Sequence, residues 1–186
     1  MKYAKCVIVG DKSVGKTALL VSYATILSFY EYSTATFNNY NARFTVDDTN
    51  VNLLICDTRG GSEFDKMRIL SYQGTDIFIV VFSVVAPTSL ENVIHKWVPE
   101  ISYFCPTVPF LLVGTKKDVR KDAQNCDHIT YEHGHLTAQN IKAIGYAENT
   151  FTDRNISNVI FEQVVRATVR EKSQLGRRPR NKCIIL

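Results

Sequence analysis

The sequence predicts an α/β fold, a doubly wound, mostly parallel six-stranded sheet with helices on both faces. Three observations carry that reading. Apolar runs of strand length recur along the chain, most are uninterrupted rather than alternating, and helix-like segments separate them. Unbroken apolar strands suit a sheet covered on both faces, and alternation of strand with helix suits parallel crossover connections.

The first strand is expected over residues 3–9 and leads through a glycine-containing loop into a helix over 16–23. Strands two and three, 43–46 and 51–56, flank Asp47-Asp48-Thr49-Asn50, which reads as the turn of one antiparallel hairpin. A fourth strand over 77–84 precedes a helix over 89–101 entered through Pro87. The fifth strand covers 110–113, a helix follows at 137–144, and a weaker strand lies near Tyr146. The last helix is expected over 155–172, with Ile156, Val159, Ile160, Val164 and Ala167 on one face.

The chain has 186 residues, 45% hydrophobic and 22% charged, the make-up of one domain with a real core. Its net charge of +4 is local: Arg177, Arg178, Arg180 and Lys182 lie in the last ten residues, and without them 18 basic residues face 18 acidic ones. A near-neutral body with a basic tail argues against a nucleic-acid-binding face and for an anionic membrane surface met by the tail. The basic tail also admits a nuclear-import reading, but it lacks a longer lysine-rich run. Cys6, Cys56, Cys105, Cys126 and Cys183 form no CxxC pair, no Cys/His metal spacing and no even-numbered framework, the usage expected in a reducing compartment. No apolar stretch approaches the roughly eighteen residues needed to span a bilayer, so a protein neither secreted nor transmembrane is expected. His95, His128, His133 and His135 fall in a helix and a variable loop without a complete ligand set and are read as surface residues.

Gly10-Asp11-Lys12-Ser13-Val14-Gly15-Lys16-Thr17 follows a strand and precedes a helix. Such a loop turns successive N–H groups toward an anion, the helix start adds its dipole, Lys16 adds a charge, and the Thr17 hydroxyl suits Mg²⁺. Leu53-Leu54-Ile55-Cys56-Asp57 is an apolar strand ending in a carboxylate, which is placed beside such a metal, and Gly60 then allows a backbone to approach a terminal phosphate. Leu111-Leu112-Val113-Gly114-Thr115-Lys116-Lys117-Asp118 ends another buried strand in an acid able to accept from N1–H and the exocyclic amine of guanine, a pair of donors that adenine lacks. Because Lys116 and Asp118 are present and no lid or second substrate domain is visible, a P-loop kinase or ATPase is disfavoured.

With the phosphate loop, Asp57-Thr58-Arg59-Gly60, Thr115-Lys116-Lys117-Asp118 and the terminal Cys183-Ile184-Ile185-Leu186 in order, the chain resembles the Rho/Rac small GTPases of the Ras superfamily. Phe37-Asn38-Asn39-Tyr40, Leu70-Ser71-Tyr72, Thr75-Asp76-Ile77-Phe78, Ser89-Leu90-Glu91-Asn92-Val93 and Lys96-Trp97-Val98-Pro99-Glu100 are similar to Rho-type sequence, so the likeness runs through nearly the whole chain. The resemblance implies a GTP-binding domain over 1–174, a flexible basic tail over 175–186, and a GTP/GDP switch using Mg²⁺. It implies switch loops near 29–40 and 59–72, and a monomer served by exchange factors, effectors and a prenyl-binding extraction factor. GTP contacts are expected from Lys12, Ser13, Val14, Gly15, Lys16, Thr17, Ala18, Phe29, Tyr32, Gly60, Lys116, Asp118, Thr150 and Phe151. Metal contacts are expected from Thr17, indirectly from Asp57, and from Thr34 or Thr36. Phe37, Asn38, Asn39 and Tyr40 are the expected effector surface. Cys183 fits a lipidation site of the geranylgeranyl form, which with the tail cations predicts the cytoplasmic face of a membrane and a cytosolic pool.

The chain also departs from that family. Gly61, followed by Ser62-Glu63, stands where the family has its water-orienting glutamine, so slow hydrolysis is expected. Ala35 stands at the switch threonine, Lys12 at a usual glycine, and Ser28, with Phe29 beside it, where an aromatic normally covers the base. Asn149-Thr150-Phe151 replaces the usual Cys-Ser-Ala, and the segment from Arg120 to Tyr131 is shorter than the Rho helical insertion. The alternative expectation is a prenylated scaffold independent of nucleotide.

Overall fold

A computed structural model describes residues 2–24, 30–34, 37–121, 128–151 and 154–174. Phe29, Ala35, Thr36, Cys183 and the four tail cations lie outside them, and of Tyr32, Thr34, Phe37 and Asn38 only the backbone is described. The strands are β1 (Lys2–Gly10), β2 (Tyr30–Thr34), β3 (Phe37–Val46), β4 (Thr49–Asp57), β5 (Ile77–Ser83), β6 (Phe110–Thr115) and β7 (Tyr146–Glu148). The helices are α1 (Lys16–Ala24), α2 (Asp65–Leu70), α3 (Pro87–Asn92), α4 (Val98–Phe104), α5 (Tyr131–Asn140) and α6 (Arg154–Gln174).

The sheet order is β2-β3-β4-β1-β5-β6-β7. β4, β1, β5, β6 and β7 run parallel, and β3 and β2 add antiparallel at one edge. The doubly wound, mostly parallel sheet is therefore present, with the edge strand β2 added to the six expected strands. In the predicted hairpin the turn is tighter than the four residues named: Val46 pairs with Thr49, and Asp47 and Asp48 take φ of 47° and 58°. Two successive positive φ values match the right-handed twist of the flanking strands.

Successive residues of the central strands face opposite sides, so one run of apolar residues fills two cores. Cys6, Ile8, Ile55, Ile79, Leu111 and Val113 face α1 and α6. Val7, Val9, Phe78, Val80, Phe82 and Leu112 face Tyr72, Trp97, Ile101 and Tyr146. The buried stripe of α6 is Ile160, Phe161, Val164 and Val165, with Ile156 and Ala167 packed at its margin, while Val159 is exposed. Cys6 and Cys56 are free and buried, and burial raises both thiol pKa values. Cys105 is buried and disulfide-bonded, which departs from the unpaired usage expected.

The helix expected over 89–101 runs from 87 to 104 and widens into a π turn at Val93–Trp97. Pro99 explains the widening. Its ring clashes with the carbonyl four residues back and it donates no hydrogen bond, and a π turn at that place absorbs both defects. The helix expected at 137–144 instead starts at Tyr131, where the Thr130 hydroxyl accepts from His133 N–H at 3.1 Å, and ends before Lys142 at φ 61°. His133 and His135 therefore lie on a helix rather than a loop. Among the described residues no cluster of His, Cys, Asp and Glu is arranged to hold a metal, and no helix is long and apolar enough to cross a membrane.

Candidate functional site

The open ends of β1, β4 and β6 carry the residues that the sequence singles out, as parallel strands generally do at their carboxyl ends. Between β1 and α1 the chain takes φ of 147° at Gly10, 64° at Ser13 and 102° at Gly15. At Gly10 a Cβ would collide with the Val81 carbonyl oxygen, so a bare backbone is required there. The loop turns back into α1, where Leu19 N–H donates to the Gly15 carbonyl at 2.9 Å.

Lys16 is buried, 7% exposed, and its Nζ donates to the Gly10 carbonyl at 2.9 Å and the Asp11 carbonyl at 2.6 Å. Burial lowers its pKa to about 8 against the opposing pull of Asp57 and Asp11. The Thr17 hydroxyl donates to Asp57 Oδ2 at 2.5 Å, joining helix and strand across the site. Asp57 Oδ1 is buried without a partner, and burial raises the Asp57 pKa despite the Thr17 hydrogen bond and nearby Lys16. An orphaned buried carboxylate oxygen beside a threonine hydroxyl fits a hard divalent cation such as Mg²⁺.

These groups line a cavity of about 440 Å³ together with Lys12, Ser13, Thr58, Arg59, Gly60, Gly61, Glu63 and Phe64. The far wall is anchored from behind: the Thr58 hydroxyl donates to the Ile8 carbonyl at 2.6 Å, and Arg68 Nη1 donates to the Arg59 carbonyl at 3.2 Å. Gly60 packs so close to the backbone of Gly10, Asp11 and Lys12 that a Cβ has no room. Val14 meets the expectation only through its backbone, since its side chain is buried in the core, and Ala18 is half-buried on α1.

The second predicted cluster is tied to the first. Lys116, at φ 62°, donates from Nζ to the Ser13 carbonyl at 2.9 Å, and the Thr115 hydroxyl donates to the Val14 carbonyl. Lys117 N–H donates to the Asn149 carbonyl at 3.3 Å, and Asn149 N–H to the Gly114 carbonyl at 2.7 Å, which sets the β7 loop beside β6. Asp118 and Phe151 are exposed there and Thr150 is buried. Of the expected effector surface, Asn39 is half-buried and Tyr40 is 8% exposed within the core, so the Tyr40 ring faces inward.

Sequence reasoning missed the supports of the site. Asp11 accepts from Trp97 Nε1 at 2.8 Å and from Asn92 Nδ2 at 2.7 Å, so the helical run from 87 to 104 holds the phosphate loop by its second residue. Arg68 is fully buried, pairs with Glu100 at 3.0 and 2.7 Å and with Asp65 at 2.7 Å, and lies 4.7 Å over the Trp97 ring. Tyr72 also donates to Glu100. Two signals are legible in the sequence: an arginine three residues after an aspartate on a short helix, and the single tryptophan of the chain in the helical run from 87 to 104.

A comparison with known families matches the Ras family over residues 5–170. Members of that family bind GTP and GDP with Mg²⁺, act as signalling switches, and are served by regulators and effectors. The match begins inside β1, which delivers the phosphate loop, and ends inside α6, so the site and the scaffold around it are covered and the chain belongs to the Ras family of small GTPases.

Proposed function

We propose that this Ras-family chain is a Rho-like, membrane-associated guanine-nucleotide switch whose GTP occupancy is set by binding and exchange rather than by hydrolysis. The observation that carries the reading is Gly61, a residue without a side chain on the wall of the phosphate cavity. Hydrolysis in intact relatives is already slow, about 10⁻⁴ to 10⁻³ per second, and depends on a positioned glutamine. Losing one such group costs roughly 10- to 1,000-fold, which brings turnover to hours or weeks.

The phosphate loop, Lys16 and the backbone beside Gly60 hold the polyphosphate, and Asp118, with Lys116 tied to Ser13, selects guanine. Thr17 and, indirectly, Asp57 hold Mg²⁺, which when bound neutralises phosphate charge. Geranylgeranylation at Cys183 gives a marginal anchor, and the four tail cations add about 1 kcal/mol each on an anionic leaflet, enough together for reversible residence with a cytosolic pool. Exchange factors, effectors and a prenyl-binding extraction factor complete the cycle, and the likeness of 37–40, 70–72, 75–78, 89–93 and 96–100 to Rho sequences supports that branch.

The test is to denature freshly purified protein, identify the released nucleotide by chromatography, and follow its conversion in a single turnover with Mg²⁺. Stoichiometric guanine nucleotide, mostly GTP and converted far more slowly than about 10⁻⁴ per second, supports the proposal. Rapid conversion overturns the slow-hydrolysis reading. Absence of nucleotide, together with no binding on titration, replaces the switch by a prenylated scaffold that kept the fold.

A further inference from the structure

Three cations line the phosphate cavity, Lys12, Lys16 and Arg59, and the phosphate-loop motif accounts for Lys16 alone. Arg59 is exposed and its guanidinium carbon lies 4.8 Å over the Phe64 ring centroid, with both residues on the cavity wall. Its backbone has little freedom: Thr58 is bonded to β1, the Arg59 carbonyl accepts from Arg68, and Gly60 is wedged against the loop. The side chain is therefore an exposed cation on a fixed base. Neither Arg59 nor Lys12 makes an ion pair among the described residues, whereas Arg68 is committed to Glu100 and Asp65.

We infer that Arg59 is a built-in sensor of the terminal phosphate: it leaves the Phe64 face and pairs with the phosphate that GTP has and GDP lacks, with Lys12 of the phosphate loop as a second cation lining the cavity. The inference rests on the guanine-nucleotide reading above. The chemistry favours the exchange. Stacking of an exposed guanidinium on a half-buried ring is a weak resting contact, while a guanidinium meets phosphate oxygens with two charge-assisted hydrogen bonds in a matching fork. The loop amides serve phosphates common to both nucleotides and Lys16 is shared between the common and the terminal phosphate, so a further cation on the wall formed by 58–64 adds to the difference between them. Glu63, the acid on the same wall, makes that counter-charge matter more, because without Arg59 it repels the added phosphate.

The experiment is calorimetric titration of the full chain, with Mg²⁺, using GDP and a non-hydrolysable GTP analogue. The variants are Arg59→Ala, Arg59→Lys and Phe64→Ala. Arg59→Ala should weaken the triphosphate analogue roughly ten- to a hundredfold with GDP affinity changed less than about twofold. Arg59→Lys should recover part of the loss, since charge returns without the fork, and Phe64→Ala should keep the wild-type preference or raise it. An unchanged analogue-to-GDP ratio in Arg59→Ala, or an equal loss for both nucleotides, overturns the sensor and leaves the guanine-nucleotide switch standing. A wild-type chain that binds neither nucleotide removes both. Melting curves of the free variants separate either result from misfolding.

Discussion

The carboxylate of Glu63 lies in the space that a side chain on Gly61 would take. Restoring a glutamine at 61 therefore forces the Glu63 side chain aside, and the two residues compete for one position on the cavity wall. Gly61→Gln alone is expected to raise the single-turnover rate by less than about threefold, and Gly61→Gln with Glu63→Ala by about tenfold or more. Equal rates in the single and double variants would show that the carboxylate yields freely.

Asp57 offers a pH test. Its folded pKa is raised by burial, so its stabilising contribution in the metal-free protein is present below the unfolded carboxylate pKa of about 3.9 and is lost as pH rises through the folded value. Above the folded value the ionised group is a burden until a cation meets Oδ1. Asp57→Asn should raise the melting temperature of the metal- and nucleotide-free chain by about 2–4 °C while abolishing the added stabilisation from Mg²⁺ with nucleotide. Differential scanning calorimetry with and without both ligands reads the two effects.

Lys16 titrates in the opposite sense. Its folded pKa of about 8 lies below the unfolded value, so its stabilising contribution is present above about pH 10.4 and is lost as pH falls through about 8. A polyphosphate restores the charge, so binding at pH 8.5–9 should take up a fraction of a proton that disappears at pH 6.5. Calorimetry in buffers of different ionisation enthalpy measures that uptake, and Lys16→Met should remove it.

How much of this was legible in the sequence divides along physical lines. The central strands show themselves because burial on both faces leaves unbroken apolar runs. β2 does not, because Tyr30-Glu31-Tyr32-Ser33-Thr34 is a short, polar edge whose pairing with β3 is decided by tertiary contact. The expected helix lies displaced from α5 because the buried face of α5 is Gly134, Thr137 and Ala138, with Leu136 turned outward, so Ile141, Ala143 and Ile144 beyond it read as more helical than the helix. In the site, Lys16, Thr17 and Asp57 could be named because fixed spacing meets a known chemistry. Arg59 on Phe64 and Glu63 over Gly61 are relations in space that no spacing announces.

The Arg68 network gives a stability prediction. Glu100→Ala leaves a completely buried guanidinium with Asp65, 41% exposed, as its remaining acid, and breaking such a pair from one side costs up to about 3–5 kcal/mol. For a domain of this size the full cost corresponds to a fall of roughly 6–20 °C in melting temperature. Arg68→Met combined with Glu100→Leu should lose less than Glu100→Ala alone, a comparison that denaturant titration resolves.

The Trp97 ring holds the phosphate loop through its N–H to Asp11 and carries Arg68 on its face. Among the described residues the phosphate loop and α2 share no hydrogen bond, yet both lean on the same post. Their mutational effects will not be independent: a double-mutant cycle between Asp11→Asn and Arg68→Met should show a coupling energy with Trp97 in place and none in a Trp97→Leu background. The π turn forced by Pro99 sets where that post stands, so a proline far from any phosphate governs how the two halves of the site communicate.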